Sequence, residues 1–596
     1  MIVFKTTTWD WDLTNKGISF TEKNNMFFDE QRKSFTFPFT EEITPDIADK
    51  LGLVTVDGVV KYKQRVYGYL IKDHTFYNAY LKINTVVGNR VELTIFYGKE
   101  TLKVFDKELK DLPFRVTTAE PDLPTFAKAQ LTDGWPTATH QFVKISRDDI
   151  ATKSNYEHFA GFLNNYTYDD QVPGEWSFPV NTNEDIDGDT VAVNRNVMVP
   201  LTYLMEVLKI GFATEGLTIR GDFVNDNFNK KILLVPKNFM EKFAVSQYDQ
   251  YSFSTYTTQV LENGQVYNVY TKQHTPTQEG AYSLKMRINF NSVIAQYFKL
   301  TVTQAGETLY EAESQNSIVN INETLDINIL DTTVFDPIYV QLKLKQQVGS
   351  IADYNTFVYE YNEGALNVFP TVYTIADFLP DMDFRKFTNK IKTWFNLKFD
   401  YTENSVYINY IENSLSTMVF DDKRHLEVPK PQRILNTNNL FKLTYPNNEE
   451  VLVDKNGQTY NESDFSDDEI KKIEMDVLPL DVMANKGSIT AIYPEDDEDL
   501  MFVLYDGPVA GENIAVNNIN NRRLSLQHIY DNNYKNWLRF RANAETVKDS
   551  FTMHFTEIID IEKGLIKYDK KHLIKSIKKK LTTEEHYKVD VESETF

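Results

Sequence analysis

The chain has 596 residues, of which 41% are hydrophobic, so it can form several packed cores and is not a disordered segment. It contains no cysteine, which excludes a disulfide scaffold and a thiolate metal site. The formal net charge of −23 disfavours sequence-independent binding of nucleic acid, because that binding mode needs clustered lysine and arginine.

Residues 1–120 are predicted to form an N-terminal β-barrel-like domain. Short segments in which apolar and polar residues alternate are typical of half-buried strands, and glycines at positions 88 and 98 fit the turns between them. The strand candidates are Ser34–Phe39, Val66–Ile71, Ala79–Ile83 and Val91–Phe96.

Residues 121–195 are richer in proline and polar residues and are interpreted as a connector with loops. The segment 183–194 matches part of a calcium-loop template, with a glycine at the sharp turn. Its twelfth position holds Asn194 instead of the usual glutamate, so an acidic loop without calcium is the simpler interpretation. The calcium candidates are Asn183, Asp185, Asp187 and Asp189.

Residues 196–240 are predicted to form a helix–hairpin unit. Leu201, Leu204, Leu208 and Phe212 recur near helical spacing, and proline at position 200 suits a helix start. The two strands of this unit are expected at Leu217–Ile219 and Ile232–Val235.

Residues 241–370 contain alternating segments separated by turns rich in Asn, Gly and Thr. This spacing predicts an inserted β-sandwich.

Residues 371–420 are predicted to form a second helix–hairpin unit. Phe384, Phe387, Ile391 and Trp394 again recur near helical spacing, and strands are expected at 397–399 and 406–408. Two such units indicate an internal duplication, with a chance match of two ordinary αβ units as the alternative.

The apolar faces of the two predicted helices are candidates for a subunit interface, and a domain core is the alternative interpretation. The candidate residues are Tyr203, Leu208, Phe212, Phe387, Trp394 and Phe395.

Residues 421–596 are predicted to be β-rich. Asn456-Gly457 lies between apolar runs and indicates a hairpin. The basic run Lys567–Lys580 is interpreted as a solvated face whose apolar residues point inward. The acidic run Glu495–Asp499 could bind a cation or supply a carboxylate pair, but a solvated loop is the simpler interpretation.

No catalytic signature is visible, and we expect neither an enzyme nor a cofactor. The nine histidines form no close pair of the kind that zinc sites use, and no nucleophile elbow, P-loop or dinucleotide fingerprint occurs. Residues 1–9 lack the apolar core of a secretory signal, and no apolar run reaches the length of a membrane span. We therefore expect synthesis in a cytoplasm and no membrane span.

The chain resembles tail-tip or baseplate hub proteins of phages and prophages that infect Bacteroidetes. The resemblance is carried by the inserted sandwich and by the segments Ser34–Leu53, Arg65–Ile83, Val197–Asp226 and Asp560–Leu581. It implies a fold that is mainly β with minor α, containing several barrel or sandwich domains and two helix–hairpin units. Residues 1–120 and 421–596 would be hub domains. The resemblance supplies no active-site residues.

The resemblance further implies a homotrimeric virion protein of the phage tail, in which two similar halves per chain form a pseudo-six-fold ring. Such a hub would join the tail tube to distal tail, fibre or receptor-binding proteins during host attachment. DNA would pass its lumen only transiently during genome ejection.

Two alternatives stay open. One is a hexameric distal tail ring or fibre-attachment protein, although no fixed-period fibre repeat is present. The other is a secreted glycan-binding β protein, in which Trp9, Trp11, Trp135 or Trp176 could stack on sugars.

Overall fold

A computed structural model describes most of the chain. The described residues are 2–14, 16–28, 34–36, 38–51, 65–72, 75–98, 102–152, 156, 158–168, 176–186, 189–237, 248–251, 256–275, 280–329, 336–348, 356–361, 369–434, 440–460, 470–494, 500–509, 512–554, 556–582 and 585–596.

The fold is mainly β with minor α, as the sequence predicts. The α-helices have between 4 and 12 residues. They are Pro45–Leu51, Leu123–Ala129, Leu204–Ala213, Asp222–Asn225, Phe384–Phe395, Ile411–Ser416, Leu526–Ile529 and Lys535–Asn543.

The largest sheet joins the two ends of the described chain. Its strands are Ile2–Lys5, Asp10–Asp12, Ser19–Lys23, Ser34–Thr36, Phe39–Glu42, Arg65–Lys72, Thr75–Val87, Arg90–Tyr97, Phe420–Asp422, Gln432–Ile434, Thr546–His554, Gly564–Lys567, Lys570–Leu581 and His586–Thr595. The N-terminal strand Ser19–Lys23 pairs in antiparallel fashion with the C-terminal strand Lys570–Leu581, and Phe20 lies opposite Lys579. Among the described residues no sheet closes into a barrel, because the N-terminal strands continue into the C-terminal strands. The barrel expected for residues 1–120 is thus an open, shared sheet.

Smaller sheets build the middle of the molecule. A five-stranded sheet contains His140–Gln141, Leu201–Tyr203, Ile232–Val235, Met501–Leu504 and Leu478–Pro479. Two four-stranded sheets contain Phe162–Leu163, Ile145–Ser146, Ser488–Ile492 and Val482–Asn485 in one, and Thr459–Tyr460, Glu450–Val453, Leu440–Thr444 and Ile470–Glu474 in the other. A three-stranded sheet contains Thr218–Arg220, Ser405–Tyr410 and Leu397–Tyr401, and three strand pairs are Thr167–Tyr168 with Trp176–Ser177, Thr182–Ile186 with Asp189–Val193, and Val116–Thr118 with Val372–Thr374.

The inserted region forms one seven-stranded sheet with its own core. Its strands are Tyr248–Tyr251, Thr258–Glu262, Gln265–His274, Gly280–Gln304, Glu307–Ile329, Ile338–Val348 and Thr356–Tyr361. The long strand Gly280–Gln304 pairs with Thr356–Tyr361 in its first half and with Ile338–Val348 in its second half. A register shift separates the halves, and side chains from both contribute to one buried cluster. The region predicted as a sandwich therefore forms a single continuous sheet within the described residues.

The two predicted helix–hairpin units differ in strand pairing. In the second unit, Leu397–Tyr401 and Ser405–Tyr410 form the expected antiparallel hairpin. In the first unit, Thr218–Arg220 instead pairs in parallel with Ser405–Tyr410, and Ile232–Val235 belongs to a different sheet. The units therefore interlock and do not repeat one pairing pattern.

Residues 121–195 are more than a connector. Asp122 caps the helix Leu123–Ala129, since its side chain accepts a hydrogen bond of 2.8 Å from the backbone N–H of Thr125. Apolar residues of this region, including Phe142 and Leu163, are fully buried in a core shared with residues 478–515.

Candidate interaction surface

One side of the N-terminal strands carries a group of aromatic side chains, which we name the aromatic face. Directly opposite residues of antiparallel strands point to the same side of a sheet, and residues two apart along a strand do the same. The strand register therefore places six rings on one side: Phe35, Tyr67, Tyr69, Phe76, Tyr80 and Phe96.

Four of these rings form a continuous line across four strands. The ring centroids of Tyr67 and Tyr80 are 5.6 Å apart. Tyr80 stacks on Phe96 at 5.0 Å with an interplanar angle of 23°, and Phe96 lies 6.0 Å from Phe35. These separations are typical of favourable aromatic pairs, so the line is a packed element of the sheet. Tyr80 within this line is buried, with 3% of its surface exposed.

The other two rings of the aromatic face are exposed. Phe76 is 67% exposed and Tyr69 is 49% exposed. The opposite side of the same strands is a normal core, in which Leu70, Leu81 and Ile95 are fully buried. Both sides of these strands are thus apolar or aromatic, which is unusual for a sheet that faces water on one side.

Cations flank the aromatic face. Arg65 lies 5.4 Å above the centroid of Tyr80, Lys103 lies 5.5 Å from that of Tyr67, and Lys23 lies 5.3 Å from that of Phe35. Asp106 accepts a hydrogen bond of 2.7 Å from the Tyr67 hydroxyl and one of 3.1 Å from Arg385. A surface of rings edged by charges can pack against another protein or stack on sugar rings.

The interface candidates from the sequence lie in the interior of the chain. At most 2% of the surface of each is exposed, so a partner does not reach them in this conformation: Tyr203, Leu208, Phe212, Phe387, Trp394 and Phe395. The core interpretation accounts for their burial.

The two predicted helices pack on each other at this core. A Cβ atom on Gly211 would lie only 2.2 Å from the Phe384 ring, so the close approach requires glycine. Trp394 Nε1 donates a hydrogen bond of 2.7 Å to the hydroxyl of Tyr445, and burial raises the pKa of Tyr445 well above its ordinary value.

The calcium candidates fall on a β-hairpin instead of an open loop. Asn183, Asp185 and Asp189 lie in the paired strands Thr182–Ile186 and Asp189–Val193, whereas Asp187 lies outside the described residues. Across the described ranges, no group of three or more His, Cys, Asp or Glu side chains is arranged to hold a metal ion.

One carboxylate of this hairpin already has a cationic partner. Arg195 Nη2 donates a hydrogen bond of 2.9 Å to Glu184, and the hydrogen bonds from Arg195 lower the pKa of Glu184 to about 2. The acidic run Glu495–Asp499 lies outside the described residues.

The tryptophans noted in the sequence are mostly structural. Trp11 and Trp176 are each 8% exposed. Trp135 Nε1 donates a hydrogen bond of 2.9 Å to Glu206, and Trp9 packs 5.7 Å from Phe4. A different sequence signal indicates the aromatic face. Aromatic residues at positions 67, 69 and 80 occupy alternate positions of predicted strands and therefore share one side of the sheet.

The part of the chain that the structure describes contains no helix both long and apolar enough to cross a membrane.

No protein-family model matches the chain, and no curated protein matches it. Solved structures of infectious bursal disease virus align with parts of it. The Gx strain structure aligns at 12% identity and a TM-score of 0.14, covering 23% of this chain and 40% of that one. The VP2 subviral particle aligns at 9% identity and a TM-score of 0.15, covering 62% and 72%. TM-scores this low do not indicate a common fold.

Proposed function

We propose that the chain is a structural virion protein of a phage tail tip or baseplate. In this role it is a homotrimeric hub that links the tail tube to the tip and its fibres. The proposal is supported by the sequence segments that resemble hub proteins. It assigns the chain an assembly role, without catalysis or a cofactor.

The observation that carries the proposal is the exposure of Tyr69 and Phe76 on the aromatic face. A large ring such as Phe76 on the solvent side of a sheet loses stabilisation unless another surface covers it, and contiguous exposed apolar patches mark interaction sites. Heterologous contacts of this kind close into a ring when the rotation between subunits permits.

The experiment is the mass of the purified full chain by light scattering, with negative-stain images of the same fraction. We expect a three-fold ring with a central opening. The double variant Phe76→Glu, Tyr69→Glu should give soluble monomers with an unchanged circular dichroism spectrum, because both side chains are exposed. Tyr407→Glu is the matched control, since Tyr407 is 37% exposed on a different sheet.

Two results would contradict the trimeric hub, and a third would contradict the role of the aromatic face in its assembly. A six-fold ring would instead favour the distal tail ring. A monomer whose mass stays constant up to roughly 100 μM would contradict self-assembly. A ring that survives the double variant would remove the aromatic face from the interface.

Glycan binding is the second candidate function, and the aromatic face is also the observation that favours it. Tyr69 is 49% exposed and Phe76 is 67% exposed, so both rings offer flat faces on which sugar rings can stack. Titration with soluble bacterial-type oligosaccharides, followed by tyrosine fluorescence, tests it. Saturable binding that Tyr69→Ala abolishes would support this function in a monomeric protein.

A further inference from the structure

A groove opens in the C-terminal half of the chain. It lies between the helices Ile411–Ser416 and Lys535–Asn543, the turn at 455–456 and the strand end at 595–596. Its volume is about 770 Å³, which is within the usual range of ligand pockets. We name it the C-terminal groove.

The floor of the C-terminal groove is apolar. Leu415, Phe540 and Phe596 line it. The Phe596 ring lies 5.3 Å from Phe540 and 5.6 Å from Phe420, and the backbone N–H of Phe596 donates a hydrogen bond of 2.7 Å to the carbonyl of Lys571. Although it is held in this way, Phe596 remains 49% exposed and faces the open groove.

The rim of the groove is basic in a chain whose net charge is −23. Lys455, Arg539 and Lys570 line it, with Glu412 as the only carboxylate side chain among the lining residues. The side chain of Glu412 is already used, because it accepts a hydrogen bond of 2.9 Å from the backbone N–H of Trp537.

Within the described part of the chain, two of the three rim cations have no carboxylate partner. Lys570 lies 3.4 Å from Glu545, whereas neither Lys455 nor Arg539 forms an ion pair with any described residue. Both are exposed, so their charges are available to a ligand.

We propose that the C-terminal groove binds an acidic peptide segment of a partner protein, in which aspartate or glutamate flanks an apolar side chain. The apolar side chain packs on Phe540 and Phe596, and the carboxylates meet Lys455 and Arg539. Charge complementarity of this kind selects the partner and speeds encounter, while the buried apolar anchor supplies most of the affinity. This inference does not rest on the proposed virion role.

A nucleic acid fits the groove less well than a peptide. Three rim cations would neutralise few phosphates, and the global charge repels a long polyanion. The apolar floor also favours a ligand that carries an aliphatic or aromatic side chain.

The test uses the full chain and a fluorescein-labelled octapeptide of alternating glutamate and leucine with one central phenylalanine, followed by fluorescence anisotropy. We expect saturable binding that weakens at least about tenfold between roughly 0.05 and 0.5 M NaCl. The double variant Lys455→Glu, Arg539→Glu should weaken binding at least about tenfold, because it reverses both unpaired charges. Phe596→Ala should weaken it by a similar factor.

Lys535→Glu is the matched control, because Lys535 is an exposed cation on the same helix and does not line the groove. It should leave the affinity unchanged. The proposal is overturned if the double variant binds as tightly as the parent chain, or if no saturation occurs below roughly 1 mM peptide. Equal affinity for an all-glutamate octapeptide would also overturn it, as would tighter binding of a labelled single-stranded oligonucleotide.

Discussion

His140 shows how strongly burial constrains a single titratable side chain. The residue is 1% exposed, and its ring nitrogens lie 2.9 Å from the Thr139 hydroxyl and 2.5 Å from the Tyr373 hydroxyl. Burial lowers the pKa of His140 to about 3. The imidazole is therefore neutral in the folded chain at neutral and mildly acidic pH.

This burial predicts acid sensitivity. In the unfolded chain His140 takes up a proton below its ordinary pKa of 6.5, and in the folded chain it does not. The unfolded state thus binds more protons, and stability falls as the pH is lowered. We expect His140 to contribute a loss of about 1.5 kcal/mol in the free energy of unfolding between pH 6.5 and about pH 5.

Urea unfolding at several pH values within this window measures the loss. His140→Gln should flatten the pH slope by that amount, whatever its effect on stability at neutral pH. An unchanged slope in the variant would show that other groups cause the acid sensitivity. Tyr373→Phe keeps the burial of His140 and serves as the control that retains the slope.

At the scale of elements, the helix Phe384–Phe395 follows from its own sequence. Its apolar residues recur at helical spacing, and Asp383 accepts a hydrogen bond of 2.6 Å from the backbone N–H of Lys386. Asn396 ends the helix in the left-handed conformation with φ of 52°.

Asp383→Ala should therefore destabilise the protein by about 1 kcal/mol, because it leaves an amide at the helix start without its partner. The free energy of unfolding from urea titration measures this loss. Asp381→Ala is the matched control, since the side chain of Asp381 is 72% exposed and forms an ion pair of 3.0 Å with Lys110. A loss as large in Asp381→Ala would attribute the effect to surface charge.

Local patterns in the sequence predict local elements well. The hairpin at Asn456-Gly457 is confirmed, because Glu450–Val453 pairs with Thr459–Tyr460 around a glycine with φ of 78°. The basic strand Lys570–Leu581 also buries Leu573, Ile574 and Ile577 as expected.

Pairings between distant segments could not be predicted in the same way. Ile219 lies opposite Val406 in a parallel ladder. The residues around each of them predict a strand, but they do not indicate which other strand it pairs with. Asp122 and Pro124 are residue types that often begin a helix, yet the prolines around them favour a connector in the sequence.

The candidate surface illustrates the same limit. Alternation identifies the strands that hold Tyr67 and Tyr80, yet both sides of these strands are apolar or aromatic. Which side faces solvent is decided by the core that covers Leu70 and Leu81, and that core assembles from several separate segments.

At the scale of the whole molecule, the inserted sheet is a separate structural unit. Within the described ranges, all hydrogen-bonded strand partners of residues 248–361 lie in the same sheet, and the buried cluster of this sheet contains no residue from elsewhere. Leu342 is fully buried in that cluster. A unit with its own core can unfold without the rest of the chain.

Leu342→Ala should destabilise the inserted unit by roughly 2–5 kcal/mol and leave the remainder unaffected. In calorimetry we expect one transition to move to lower temperature while the other stays in place. Leu208→Ala, in the core shared by the two helices, should have the opposite selectivity. A common shift of all transitions in either variant would contradict independent unfolding.

The sheet that joins the two ends of the described chain also dictates an order of events during synthesis. The side chain of Asn24 donates hydrogen bonds to the carbonyls of Ile561 and Ile574, and it is separated from Ile561 by 537 positions. On the ribosome, the strand Ser19–Lys23 emerges long before its partner Lys570–Leu581 has been translated. Its edge is then open to the same strand of a neighbouring nascent chain until the partner strand has been made, so the risk of mispairing between chains lasts through most of translation.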